Sequence, residues 1–236
     1  YDQIDSILLP HDYVNLVLSG ERSMECGDAS GTGLLDIRTR RWSQPMLDAL
    51  DPDKDIGALL PAPRQGLGPI GAVTRSAAAR LGLPEGIPVA TGGGDNMMAA
   101  IGTAATSPGR LTMSLGTSGT VFGFSDAPVI DPRGEIAAFC SSTGGWMPLM
   151  CTMNCTVTTE LLRGLLSADI DQMESVIASA PVGSDGLTVV PFFGGERTPN
   201  LPNGRGSIMG LTNTNLNKNN LLRAGAEGAS FALRYG

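Results

Sequence analysis

The sequence predicts an α/β protein built in two parts. Three observations lead there. Strand-like and helix-like segments alternate along both halves of the chain. Its 32 glycines and 16 prolines follow no period and punctuate many short elements. The second half opens with two strand-like runs around a glycine turn, an antiparallel hairpin that argues against a plain doubly wound sheet.

Taken in order, Ile4, Ile7, Leu8, Val14, Leu16, Val17 and Leu18 form an apolar run broken by Pro10. We read a short strand or turn as far as Leu9, then a helix from Asp12 to about Leu18, entered at Pro10 and left at Gly20. Residues 28–32, Asp-Ala-Ser-Gly-Thr, read as a solvated polar turn with an Asx-type bond, and residues 34–37 as a short strand. Residues 45–50 form a helical turn with Ser43 as its N-cap. The Pro-, Gly- and Asp-rich stretch 51–71 reads as a connection. Alanine-rich 73–81 is a helix ended by Gly82, 87–91 a buried β-branched strand, and 96–101 a helix of small and flexible residues.

Ser107-Pro108-Gly109 marks the expected boundary, with residues 1–107 on one side and 108–236 on the other. Residues 110–115 and 120–124 make the hairpin. Two further strands at 136–140 and 146–150 are joined by a Gly144-Gly145 turn. Helices follow at 156–166 and 170–178, a strand within 186–193, a loop at 199–206 and a last helix over 219–235. No repeat of 20–50 residues is visible. Tyr1 is not an initiator methionine and the last helical pattern stops without a cap, so a piece of a longer protein is expected.

Composition narrows the function. A formal net charge of −7 with no basic stripe argues against a nucleic-acid partner. No run of 18 apolar residues and no signal peptide are present, so neither a membrane span nor export is expected. The four cysteines contain no CxxC pair and there is one histidine, too few ligands for a zinc site. They read as buried, reduced thiols of a cytoplasmic protein, with Cys151 and Cys155 sharing a face if helical.

Two turns carry the candidate chemistry. In Gly92-Gly93-Gly94-Asp95-Asn96 a strand ends in three glycines, which lets the backbone turn sharply and approach a ligand closely. Asp95 has two readings: a helix N-cap with Asn96 at N1, or a carboxylate at the carboxyl end of a strand, where α/β proteins place their ligands and where it can take a proton from a hydroxyl. Ser114-Leu115-Gly116-Thr117-Ser118-Gly119 is either a plain turn or a backbone nest for an anion, with Thr117 and Ser118 adding hydroxyls. It has no Walker lysine. In Gly194-Gly195-Glu196-Arg197-Thr198-Pro199, Glu196 and Arg197 either pair to order a loop or leave Arg197 for a phosphate.

The order of these strings resembles the FGGY family of carbohydrate kinases. The resemblance rests on LLPHDYVNLVLSGE, DASGTGLLDIRTRRWS, GGGDN, SLGTSG, GGERTPN and GLTNTN with LRAGAEGASFAL, and covers nearly the whole chain. It implies an actin-like, ribonuclease-H-like two-domain sugar kinase, truncated at both ends, with domains facing a cleft. Residues 1–107 would be the later part of the sugar-binding domain and 108–236 the beginning of the nucleotide-binding one. Asp95 is implied as the general base, Asn96 as a sugar contact, and Gly116, Thr117, Ser118 and Gly119 as the second phosphate hairpin. ATP with Mg²⁺ would be the phosphoryl donor, with no metal ligand assigned to the protein. GERTP points to members acting on D-xylulose, with ribulose, gluconate and fuculose kinases as siblings. A homodimer is the assembly expectation. The family's DLGTS-type first phosphate loop, early sugar segment and late adenine-binding segment are missing, so no activity is expected of the 236 residues alone.

Overall fold

A computed structural model describes residues 3–235 and divides the chain into two units. The first holds the residues up to Thr112 with Phe122–Ile130 and Ala138–Pro148. The second holds Met113–Val121, Asp131–Ala137 and the chain from Leu149 on.

In the first unit, α1 (Pro10–Ser19) starts two residues before the expected Asp12, since proline at the first helical position loses no hydrogen bond. Gly20 closes it in the left-handed conformation, its N–H on the Leu16 carbonyl. Among the described residues no strand precedes it. The expected polar turn at 28–32 is instead largely helical. After β1 (Met24–Glu25), α2 (Cys26–Ser30) begins with Glu25 as N-cap, its carboxylate accepting from Asp28 N–H, and buries Cys26, Gly27 and Ala29. β2 (Leu35–Asp36) pairs antiparallel with β3 (Arg41–Trp42). Ser43 does stand at the N-cap of α3 (Gln44–Leu50), but its side chain makes no capping bond.

The connection expected over 51–71 carries structure: a 3₁₀ turn at Ile56–Leu59, β4 (Pro63–Arg64), parallel to β1, and β5 (Pro69–Ala72). Strands this short, with proline and glycine inside them, show no alternation to read. α4 (Arg75–Leu81) is capped by the Thr74 hydroxyl and ended by Gly82. β6 (Pro88–Ala90) pairs antiparallel with β5, and only Val89 of the three is buried, so the strand expected to be buried buries one face. α5 (Asp95–Gly102) follows. Ile70, Val73, Ala77, Ala78 and Val89 form one core cluster here, and Met24, Cys26, Ala29, Leu35, Ile37 and Cys140 another.

The hairpin strands are β7 (Leu111–Leu115) and β8 (Gly119–Gly123). With β9 (Ile136–Cys140) and β10 (Trp146–Thr152) they make a sheet in the order β7-β8-β10-β9. The second unit continues with α6 (Thr156–Leu165), a 3₁₀ turn at Ile170–Gln172 running into α7 (Met173–Ser179), β11 (Thr188–Val190), β12 (Ser207–Met209) and α8 (Lys218–Tyr235). β11 and β12 pair antiparallel, and Leu162, Ala168, Leu187, Val189, Leu222 and Ala224 form the core between sheet and helices. All four cysteines are free. Cys151 lies on β10 and Cys155 caps α6, so they do not share a helix face. Among the described residues no helix is long and apolar enough to cross a membrane.

Candidate active site

The first turn leaves β6 at the buried Thr91, whose backbone and hydroxyl both donate to the Gly68 carbonyl. The Asn15 side chain, on α1, donates to the Thr91 carbonyl at 2.7 Å. Gly92 then takes φ +71°, a left-handed conformation that side chains resist. Gly94, not Asp95, is the N-cap of α5. Asp95 is therefore the first helical residue. Since α5 buries Met97 and Ala100, Asp95 faces outward and is exposed, with Asn96 half-buried beside it. The Asp95 Oδ1 accepts from Asn96 N–H at 2.7 Å. A carboxylate in a helix's first turn sits favourably in the helix dipole.

Under this turn lies a group of residues that sequence reasoning missed. His11 sits between two carboxylates: Nδ1 is 2.8 Å from Asp28 Oδ2, and Nε2 is 3.0 Å from Asp12 Oδ1. The second approach lies off the line of a good hydrogen bond, so it is an ionic contact. Asp12, first of all, and then Asp28 hold the imidazole protonated far above its usual range, to about 10, against the effect of burial. Glu25 is fully buried, and burial pushes its carboxyl up, opposed by the N–H groups of Gly27 and Asp28 and by Ser142. The three glycines lie against this group. A Cβ at Gly92 would stand 3.3 Å from His11 Cδ2. One at Gly93 would stand 2.6 Å from Ser142 Oγ, 2.8 Å from Met98 Cε and 3.3 Å from Glu25 Oε2, and one at Gly94 3.0 Å from Asp28 Oδ1 and 3.1 Å from Met97 Sδ. His11 and Asp28 are 17 positions apart, so no local pattern announces the pair; the lone histidine was the available signal.

His11 ties stability to pH. A group whose pKa is raised on folding contributes fully below its unfolded pKa and loses the contribution as pH rises through the folded one. The melting-temperature advantage of wild type over His11→Gln is therefore expected to be largest below about pH 6.5 and to close as pH rises towards about 10, read by thermal unfolding across that window.

The second turn is built differently. Gly116, Thr117 and Ser118 are exposed and Gly119 is buried. The Gly116 carbonyl accepts from Thr156 N–H at 2.9 Å, and that of Thr117 from Cys155 N–H at 3.1 Å and Val157 N–H at 3.4 Å. The turn thus satisfies N–H groups that the start of α6 cannot satisfy within the helix. Gly116 N–H donates to the Ser118 carbonyl, so this donor is used inside the turn rather than pointing at a ligand. A Cβ at Gly119 would stand 2.7 Å from Leu233 Cδ2 and 3.1 Å from Cys155 Cβ, so this glycine serves packing.

Of the two readings of Glu196 and Arg197, the ion pair does not form among the described residues. Glu196 is buried, and its carboxylate accepts from Met153 N–H at 2.6 Å, Arg197 N–H at 2.7 Å and the Asn154 amide at 2.9 Å. It ties the 194–198 loop to the two residues before the α6 cap. Arg197 is exposed. Glu196→Gln turns an amide towards donors and is expected to destabilise the second unit by about 1–3 kcal/mol. Thermal unfolding checks this, and an unchanged melting temperature would show that the carboxylate does not order the loop.

Asp95 and Asn96 belong to the first unit, the hairpin residues to the second. Residues 1–102 match the N-terminal domain, and residues 111–236 the C-terminal domain, of the FGGY family of carbohydrate kinases. The chain is 44% identical over 236 residues to the xylulose kinase of Haemophilus influenzae, covering 100% of this chain and 48% of that protein. The crystal structure of a xyloylose kinase from Brucella ovis superposes with a TM-score of 0.91 at 30% identity, over 99% of this chain and 48% of that one. A gluconate kinase from Lactobacillus acidophilus does so with a TM-score of 0.84 at 28% identity, over 94% of this chain and 45% of that one. The chain spans about half the length of the curated relatives it matches.

Proposed function

From the premise that this chain belongs to the FGGY family of carbohydrate kinases and has their actin-like α/β fold, we propose that it supplies the base and a phosphate hairpin for ATP-dependent phosphorylation of D-xylulose to D-xylulose 5-phosphate. The observation that carries this reading is the exposed Asp95 at the first position of α5, on a glycine turn inside the matched sugar-kinase domain. Its Oδ1 is engaged by Asn96 N–H, so Oδ2 is the oxygen that takes the proton. As the 5-hydroxyl proton passes to Asp95, the hydroxyl oxygen bonds to the γ-phosphorus and the bond to ADP breaks. Asn96 contacts the sugar. Thr117 and Ser118 offer hydroxyls to the phosphates, while the exposed Gly116 lets the backbone come close and Gly119, packed against Leu233 and Cys155, anchors the hairpin.

Mg²⁺ bound with the ATP would offset the phosphate charge in this reading. It takes one or two carboxylates plus substrate phosphates rather than an all-protein cage. Residues 1–107 would serve the sugar and 108–236 the nucleotide, in the cytoplasm and in a homodimer. The 236 residues contain no DLGTS segment, so no turnover is expected from them alone.

Xylulose is favoured by the 44% identical relative, and gluconate is the second reading because a gluconate kinase shares the fold at 28% identity. The test is kcat/KM of the full-length protein with ATP across xylulose, ribulose, gluconate and fuculose. A value highest for xylulose supports the assignment, and one highest for gluconate replaces it.

A further inference from the structure

We infer that Asp28 is a positioning residue for the reaction proposed above: with His11 and Glu25 it forms a charged bed on which Gly92, Gly93 and Gly94 rest, and which sets the direction in which Asp95 leaves the turn. The inference rests on Asp95 being the base.

Asp28 is held from three sides. Its Oδ2 meets His11 Nδ1 at 2.8 Å, its backbone N–H donates to Glu25 Oε2 at 2.9 Å, and its Oδ1 faces Gly94, the residue before Asp95. α1 grips the start of the same turn, through Asn15 on the Thr91 carbonyl and His11 against Gly92. α2 and its cap grip the end, through Glu25 near Gly93 and Asp28 near Gly94. Only Gly92 needs a left-handed backbone. Gly94 has φ −60° and ψ 157°, open to any residue, so what keeps a side chain out is the close approach of Asp28 Oδ1 at 3.0 Å and of Met97 Sδ at 3.1 Å.

The bed is also more charged than packing requires. The carboxyls facing His11 are Asp12 on its own helix, Asp28 on α2 and Glu25 at the α2 cap. Buried atoms Asp12 Oδ2 and Glu25 Oε1 have no hydrogen-bond partner among the described residues. Apolar side chains of similar volume commonly serve stability as well as a buried ionic cluster does. A directional, charge-fixed support is what such a cluster adds, and misplacing a reacting group by about 1 Å costs roughly 10²-fold in rate.

The test uses the full-length protein carrying this chain, with Asp95→Asn as control. Asp28→Asn keeps the shape and loses the charge. Expected are kcat lowered roughly 10- to 100-fold, KM for sugar and ATP nearly unchanged, and an intact fold by thermal unfolding. The His11 imidazole signal, assigned in the NMR spectrum by its loss in His11→Gln, should deprotonate at a lower pH in Asp28→Asn than in wild type. Gly94→Ala presses on Asp28 and on Met97 from the turn side and should reproduce both the loss of kcat and the lowered His11 titration, the second of which contact with Met97 alone would not move. It decides the matter alone if Asp28→Asn does not fold. Wild-type kcat in the folded variants, or a change confined to melting temperature or KM, overturns the proposal while an inactive Asp95→Asn upholds the base. Turnover retained by Asp95→Asn overturns both.

Discussion

Asp95→Asn in the full-length protein is expected to lower kcat by ~10²–10⁴-fold, the usual contribution of a general base, or about 3–5 kcal/mol of barrier. The substitution is clean because of where the residue sits. Asp95 is exposed, and its one described hydrogen bond, Oδ1 to Asn96 N–H, can equally be accepted by the amide oxygen of the replacement side chain. Loss of the charge from the first turn of α5 costs the fold only about 0.3–1 kcal/mol. The effect should therefore appear in turnover, with the sugar KM and the melting temperature close to wild type. Turnover within a few-fold of wild type would place the base elsewhere.

Gly228→Ala carries the largest expected effect on stability. A Cβ there would stand 2.2 Å from the Val189 carbonyl oxygen, a backbone atom that cannot rotate away. β11 cannot retreat either, because Val189 is paired with Ile208 of β12. α8 would have to lift, and two further contacts lift with it: Gly225 against Leu162 of α6, and Leu233 against Gly119. Overpacking of this kind costs about 1–3 kcal/mol and sometimes more. The better helix propensity of alanine returns at most about 1 kcal/mol. Gly164→Ala in α6 is the control, since nothing lies within 4 Å of its Cβ position, and it should stabilise by about 0.5–1 kcal/mol. Denaturant or thermal unfolding of both variants reads the contrast, and equal shifts would show that the α8–β11 contact yields.

Much of this was legible beforehand. The helices ended by Gly20 and Gly82, the hairpin around Gly116 and Gly119 and the α/β class all follow from spacing and turn chemistry. The strands at Pro63–Arg64 and Pro69–Ala72 were not, because two to four residues holding proline and glycine have no period. The helix at Cys26–Ser30 was hidden because Asp, Ser and Gly favour turns, and what overrides that preference is the Glu25 cap and burial against Cys140 and Leu35.

The sequence by itself determined the family, the two glycine turns and the candidacy of Asp95, Asn96 and the residues at 116–119. Local stereochemistry and residue order suffice for those. Only the tertiary structure decided why three glycines stand together at 92–94, why Glu196 accepts backbone N–H groups rather than pairing with Arg197, and why the hairpin carbonyls cap α6. In each case a polar group must find its partner across tens of residues, as Asn15 finds Thr91 and Asn154 finds Glu196. Burial makes an unpaired polar group costly, and which group is buried against which is settled only when the chain has folded.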